Sequence, residues 1–287
     1  MTSSQAGAAR RKKPEMDFST VESVMETLRS QDYIADRTLA TTLFLSIKLE
    51  KPLFLEGEAG VGKTELAKVL AGALDTELIR LQCYEGLDSN SALYEWNYAK
   101  QLLHIKMEEG REGDSKKIER DIFSSDYLIE RPLLRALVRS KDRPAVLLID
   151  EIDRSDEEFE AFLLEILSDF QITIPEMGTV KAGRRPVVVL TSNRTREIHD
   201  ALKRRCLYLW VDYPSFEKEV EIILTKVPSA SRRLAEQITR FMGQARTMDF
   251  YKRPGVAETL DWARALLALQ RNQLDPQSVR ETLGCIL

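Results

Sequence analysis

The run Gly57-Glu58-Ala59-Gly60-Val61-Gly62-Lys63-Thr64 constrains this chain more than any other stretch. It has the spacing G-x-x-x-x-G-K-[ST]. The apolar run Pro52-Leu53-Phe54-Leu55 leads into it as a buried strand would, and Glu65-Leu66-Ala67-Lys68-Val69-Leu70 leaves it as a helix. A loop of this kind turns successive backbone N–H groups toward one point, and the following helix adds the partial positive charge of its N-terminus. Residues Glu58, Ala59, Gly60, Val61, Gly62, Lys63, Thr64 and Glu65 are therefore candidates to cradle a polyphosphate. Lys63 would reach the outer phosphates, and the Thr64 hydroxyl would ligate a magnesium ion.

A second constellation follows. Arg143-Pro144 introduces the apolar run Ala145-Val146-Leu147-Leu148-Ile149, which ends in Asp150-Glu151. A run apolar throughout reads as a central parallel strand covered on both faces. Carboxylates at its C-terminal end lie on the edge where open α/β sheets bind ligands. Asp150 would hold magnesium and Glu151 would polarise an attacking water. Together the two constellations predict an α/β P-loop NTPase fold with a parallel sheet, using ATP and Mg2+.

Composition fits that expectation. The chain has 287 residues, 43% hydrophobic and 31% charged, enough for one large α/β domain and a small one. No apolar run reaches the roughly 18 residues of a membrane span, and Met1-Thr2-Ser3-Ser4 does not begin a signal peptide. Cys83, Cys206 and Cys285 are scattered without metal-ligand spacing, as expected of reduced thiols in a cytoplasm. His104 and His199 are too few for a histidine metal site, and the net charge of −4 argues against a chain built to coat nucleic acid.

Residues 1–16, with the cluster Arg10-Arg11-Lys12-Lys13, read as a disordered tail. Residues 17–212 read as the ATPase domain, with helices over 21–29 and 36–48 before the first strand. Ile79–Cys83, Pro186–Leu190 and Leu207–Val211 complete the expected strands. Residues 84–130 contain an irregular insertion, in which Tyr94, Trp96 and Tyr98 either grip a client or pack the insertion, and Glu108–Arg120 is strongly charged. Phe159, Phe162, Leu163, Ile166, Leu167 and Phe170 have helical spacing, and Gln171–Gly183 reads as a hairpin turning at Met177-Gly178. From Tyr213 on, helical periodicity predicts a lid over 213–287. Arg154 is expected in a surface ion pair with Asp156 or Glu157, and His199 at a helix cap rather than in an acid–base pair with Asp200.

The order of these features resembles an AAA+ ATPase from about residue 20 onward. After the two constellations come Thr191-Ser192-Asn193 at a strand end, the basic run Leu202-Lys203-Arg204-Arg205-Cys206, and the helical lid. The wording of Asp150–Arg154, Glu165–Glu176 and Arg253–Trp262 is most similar to the MoxR family, and within it to the CoxD-like branch that accompanies aerobic carbon monoxide dehydrogenases and related molybdenum hydroxylases. That resemblance implies a ring homo-oligomer, a hexamer, acting as a chaperone in metal-cluster assembly. A molybdenum-containing enzyme would be the client and a von Willebrand factor A domain protein the adaptor. It assigns Asn193 to orienting the lytic water with Glu151. Arg205, with Arg204 as the competing choice, becomes the arginine finger entering a neighbour's site. Arg253 is the candidate for the lid's sensor arginine, which the commoner pattern sets inside the helix, where Val256 stands. Tyr33 and Ile34 would touch adenine or serve as plain core.

Two other classes share the core. A nucleic-acid motor or loader would favour a basic insertion; Glu108, Glu109, Glu112 and Asp114 there speak against it, while Lys116 and Lys117 leave room for it. A non-hydrolysing scaffold would have lost Lys63, Glu151 or Asn193. A chelatase-like ATPase subunit is the nearest enzymatic alternative.

Overall fold

A computed structural model describes residues 18–108, 121–140, 143–248 and 253–286. The N-terminal tail and most of the charged stretch 108–120 lie outside them.

Two helices come first: α1 (Val21–Ser30), started by a Thr20 capping box, and α2 (Arg37–Lys48), capped by Asp36. The strands β1 (Leu53–Gly57), β2 (Leu78–Gln82), β5 (Val146–Asp150), β8 (Val187–Ser192) and β9 (Leu207–Val211) then form one parallel sheet, ordered β2-β5-β8-β1-β9. β1 and β5 are buried along their whole length, as the apolar runs Leu53–Leu55 and Val146–Ile149 require in a sheet covered on both faces; Glu56, buried inside β1, accepts from the Ser192 and Tyr208 hydroxyls. The order sets β8 between the phosphate-loop strand and the acidic strand. Helix α3 (Lys63–Ala73) crosses back from β1, burying Leu66, Ala67 and Leu70 against the Val146–Leu148–Val189 side of the sheet. The opposite side, with Phe54, Leu147, Ile149 and Leu190, is covered by α6 (Pro132–Arg139) and α7 (Glu157–Asp169).

Between β2 and α6 stand α4 (Ser89–Leu93), β3 (Tyr94–Trp96), α5 (Tyr98–Glu108) and β4 (Leu128–Glu130), with β3 and β4 antiparallel. Trp96 is buried edge-to-face against Phe123 and Tyr94 and so packs the insertion, whereas Tyr98 is exposed. α7 stops one residue short of the apolar pattern's end. Phe170 turns left-handed at the C-cap while its side chain stays buried. The hairpin β6 (Gln171–Ile174) and β7 (Gly178–Lys181) follows, with Ile172 and Ile174 on its buried side.

The short helix α8 (Asp200–Arg205) leads into β9, and its N-cap is His199, whose Nδ1 accepts from the Ala201 N–H. The remaining helices are α9 (Phe216–Lys226), α10 (Arg232–Thr247), α11 (Val256–Ala268) and α12 (Pro276–Thr282). They share a separate apolar cluster around Ile223, Leu234, Ile238, Met242, Trp262 and Leu266. Among the described residues no helix is long and apolar enough to cross a membrane.

Candidate nucleotide site

The C-terminal ends of β1, β5 and β8 converge on a cleft of about 870 Å³, large enough for a nucleotide. Its floor is the loop between β1 and α3. Gly60 and Gly62 have φ of +75° and +99°, a left-handed backbone that side chains disfavour. A Cβ on Gly57 would lie 2.0 Å from the Val211 carbonyl oxygen. Lys63 is only 6% exposed, and its ammonium donates to the carbonyls of Gly57 at 2.8 Å and Glu58 at 2.6 Å. Burial pushes its pKa down to about 8.

The acidic strand end is held from three directions. Asp150 Oδ1 accepts from the Thr64 hydroxyl at 3.0 Å and the Thr191 hydroxyl at 2.5 Å, while Oδ2 accepts from Arg80 at 2.6 Å. Glu151 leaves the strand in a left-handed conformation, φ 56°. Its carboxylate accepts from Gln82 at 3.1 Å and pairs with Arg154 at 2.9 Å. This corrects the expected Arg154 pair with Asp156 or Glu157. The turn Ile152–Arg154 folds back on Glu151, so the nearer carboxylate wins. Buried Asp153 accepts from the backbone N–H of Asn193 and of Thr195, tying the end of β8 to the acidic turn.

Thr64, Asp150, Glu151 and Asn193 thus line one cleft with residues 59–65. Tyr33 and Ile34 line it from the α1–α2 connection. Burial raises the Tyr33 phenol pKa well above its usual range. Arg253 is exposed and is not among the residues lining the cleft; the lid cations that line it are Lys218, Lys226 and Arg264. Lys226 pairs with Glu65 at 3.3 Å and Lys218 with Asp36 at 2.8 Å, bridging lid and sheet domain. Arg204 and Arg205 are exposed outside the cleft, and Arg205 donates to the Ser168 hydroxyl. Sequence reasoning missed Arg80 and Gln82. Their i, i+2 spacing sets them on one face of β2, but only the strand order brings that face to Asp150 and Glu151.

The donor set fits the groups implied. A glycine-turned loop, a buried ammonium bonded to carbonyls of its own loop, and a hydroxyl that donates to a carboxylate oxygen are what a polyphosphate and a hard cation require. The AAA domain of the dynein-related subfamily matches residues 52–206, more than half of the chain. The chain belongs to this AAA domain family. The family residues run from β1 to the end of α8 and contain Thr64, Arg80, Gln82, Arg154 and Thr191, the side chains that bond the carboxylates of Asp150 and Glu151 among the described residues.

Beyond the domain, an uncharacterized protein of Staphylococcus haemolyticus is 27% identical over 249 residues, 84% of this chain and 85% of the relative. An uncharacterized Staphylococcus aureus protein is 28% identical over 243 residues, 82% of both chains. Among solved structures, a candidate ATPase from Cytophaga hutchinsonii aligns with a TM-score of 0.51 at 15% identity, covering 93% of this chain and 85% of that one. A variant of Thermotoga maritima RuvB aligns with a TM-score of 0.50 at 18% identity, covering 92% and 70%. These likenesses establish a shared AAA+ fold, a parallel P-loop sheet followed by C-terminal helices.

Proposed function

We propose that this chain hydrolyses ATP with magnesium and works as a ring, a hexamer, that remodels a protein client. The observation that carries the reading is the convergence of Lys63, Thr64, Asp150, Glu151 and Asn193 on one cleft within the AAA domain. Lys63 would exchange the carbonyls of Gly57 and Glu58 for the outer phosphates. Thr64 and Asp150 would hold the magnesium ion, which supplies charge neutralisation on the phosphates when bound. Glu151 would take a proton from the attacking water, with the Asn193 amide orienting it. Gln82 and Arg154, which bond Glu151 here, keep its carboxylate aimed.

The exposure of Arg204 and Arg205 outside their own cleft suits a finger reaching a neighbouring subunit. The likeness in wording to the CoxD-like MoxR branch supports a molybdenum hydroxylase as client and a von Willebrand factor A domain protein as adaptor.

The test is calorimetric titration with magnesium-ATP beside a phosphate-release assay. Lys63→Ala should lose most of the affinity, because the charge opposite the outer phosphates is gone. Unchanged binding by Lys63→Ala would remove the phosphate-loop assignment.

A further inference from the structure

The start of α11 meets the phosphate loop at backbone distance. The Val256 N–H donates to the Gly60 carbonyl at 2.9 Å, and the Ala257 N–H donates to the same oxygen at 3.3 Å. The first amides of a helix have no partner inside it, and two of them are used here on the loop. A Cβ on Gly255 would lie 2.7 Å from the Gly60 Cα and 2.8 Å from the Ala59 carbonyl oxygen. Gly255 itself has φ −88° and ψ −172°, an extended conformation open to any residue. The missing side chain therefore serves the contact and not the local backbone.

The contact has a consequence for the cradle. In a trans peptide the carbonyl and the next N–H are coplanar and point in opposite directions. Holding the Gly60 carbonyl toward α11 turns the Val61 N–H away from the lid helix, and Val61 lines the cleft.

The start of α11 is itself held by a buried ion pair. Arg246 and Glu219, 9% and 2% exposed, meet through two bonds of 2.7 Å each. The Arg246 Nε donates to the Pro254 carbonyl at 2.9 Å, directly before Gly255. Glu219 also accepts from the Thr259 hydroxyl at 2.7 Å, one turn into α11, and that hydroxyl lies 3.0 Å from the Gly255 carbonyl. The guanidinium stacks on Tyr213, 4.5 Å from its ring centre, and Tyr213 lines the cleft.

We propose that Arg246 is a positioning residue for nucleotide binding: paired with Glu219 and bonded to Pro254, it seats Gly255 and the first amides of α11 on Gly60 and so orients the Gly60–Val61 peptide for the polyphosphate. The inference rests on the nucleotide reading above and deepens it. It makes lid position and nucleotide affinity reciprocally linked.

The test titrates the full chain with magnesium-ADP, which cannot turn over, and records thermal midpoints. Gly255→Ala should bind about tenfold more weakly or worse, the equivalent of losing one or two neutral hydrogen bonds. The double variant Arg246→Met with Glu219→Met removes both charges together and should keep its thermal midpoint, since buried pairs replaced by apolar residues are commonly tolerated. It should nevertheless bind about tenfold more weakly, as Pro254 loses its donor. Arg246→Lys keeps the charge opposite Glu219 but not the fork, so it should weaken binding in the same direction. Wild-type affinity in Gly255→Ala and in whichever Arg246 variant folds overturns the proposal while leaving the ATPase reading intact. A wild-type chain that binds no ADP overturns both.

Discussion

Lys63 is the buried cation of the phosphate loop. Its ammonium is buried, its pKa is lowered from 10.5 to about 8 by burial, and its partners are two carbonyls of its own loop. The linkage signs are opposite for folding and for binding. Between about pH 8 and 10.5 the folded chain binds fewer protons at Lys63 than the unfolded chain, so raising the pH through that window relieves the burial cost and adds stability. Over the same rise the free protein loses the charge that faces the phosphates, so ATP affinity should fall. Titration calorimetry and denaturant unfolding at pH 7 and pH 9 check both trends, and Lys63→Met should flatten each. Gly57 makes a different demand. Gly57→Ala would drive a methyl into the Val211 carbonyl, 2.0 Å from the added Cβ. The ends of β1 and β9 must then part, with a stability loss of about 1–3 kcal/mol expected in chemical denaturation. The cysteines give a chemical check. Burial pushes the Cys83 and Cys206 thiols up to about 12, so in the native protein only the exposed Cys285 should react with a thiol reagent.

At the scale of elements, β1 and β5 were legible because each opens on a continuous apolar run, Leu53–Leu55 and Val146–Ile149, and ends in polar chemistry. Such a run, too short to span a membrane, has few places to go but the middle of a sheet. The cost of opening that core is correspondingly large. Leu148→Ala, fully buried between α3 and the sheet's neighbours, should destabilise by about 2–5 kcal/mol in urea unfolding. Less legible was everything that depends on which strands are neighbours. Thr191 was read as part of a strand end, yet its hydroxyl joins Asp150 to the Glu151 backbone only because β8 lies beside β5. Arg80 looks like an ordinary exposed strand residue until β2 is set against β5. The left-handed turn at Glu151 likewise has no sequence signal, and it is what folds Arg154 back onto the carboxylate.

At the scale of the molecule, the sheet domain and the helical cluster meet across the cleft through Lys226–Glu65, Lys218–Asp36 and the α11 start on Gly60. A nucleotide in that cleft would touch both parts, which is how binding could become motion. The proposed ring adds a third wall. If Arg205 serves a neighbour, Arg205→Ala and Lys63→Ala should each be inactive alone, and mixing them should restore part of the activity by pairing intact Lys63 sites with intact Arg205 donors. Recovery only with Arg204→Ala in place of Arg205→Ala would make Arg204 the finger. The central claim is hydrolysis of ATP at the Asp150–Glu151 strand end, and Glu151→Gln tests it most directly. Its amide fills the same space but cannot take a proton, so magnesium-ATP should still bind while phosphate release falls by about 10²–10⁴-fold. A variant that binds ATP and releases phosphate at the wild-type rate would contradict the account.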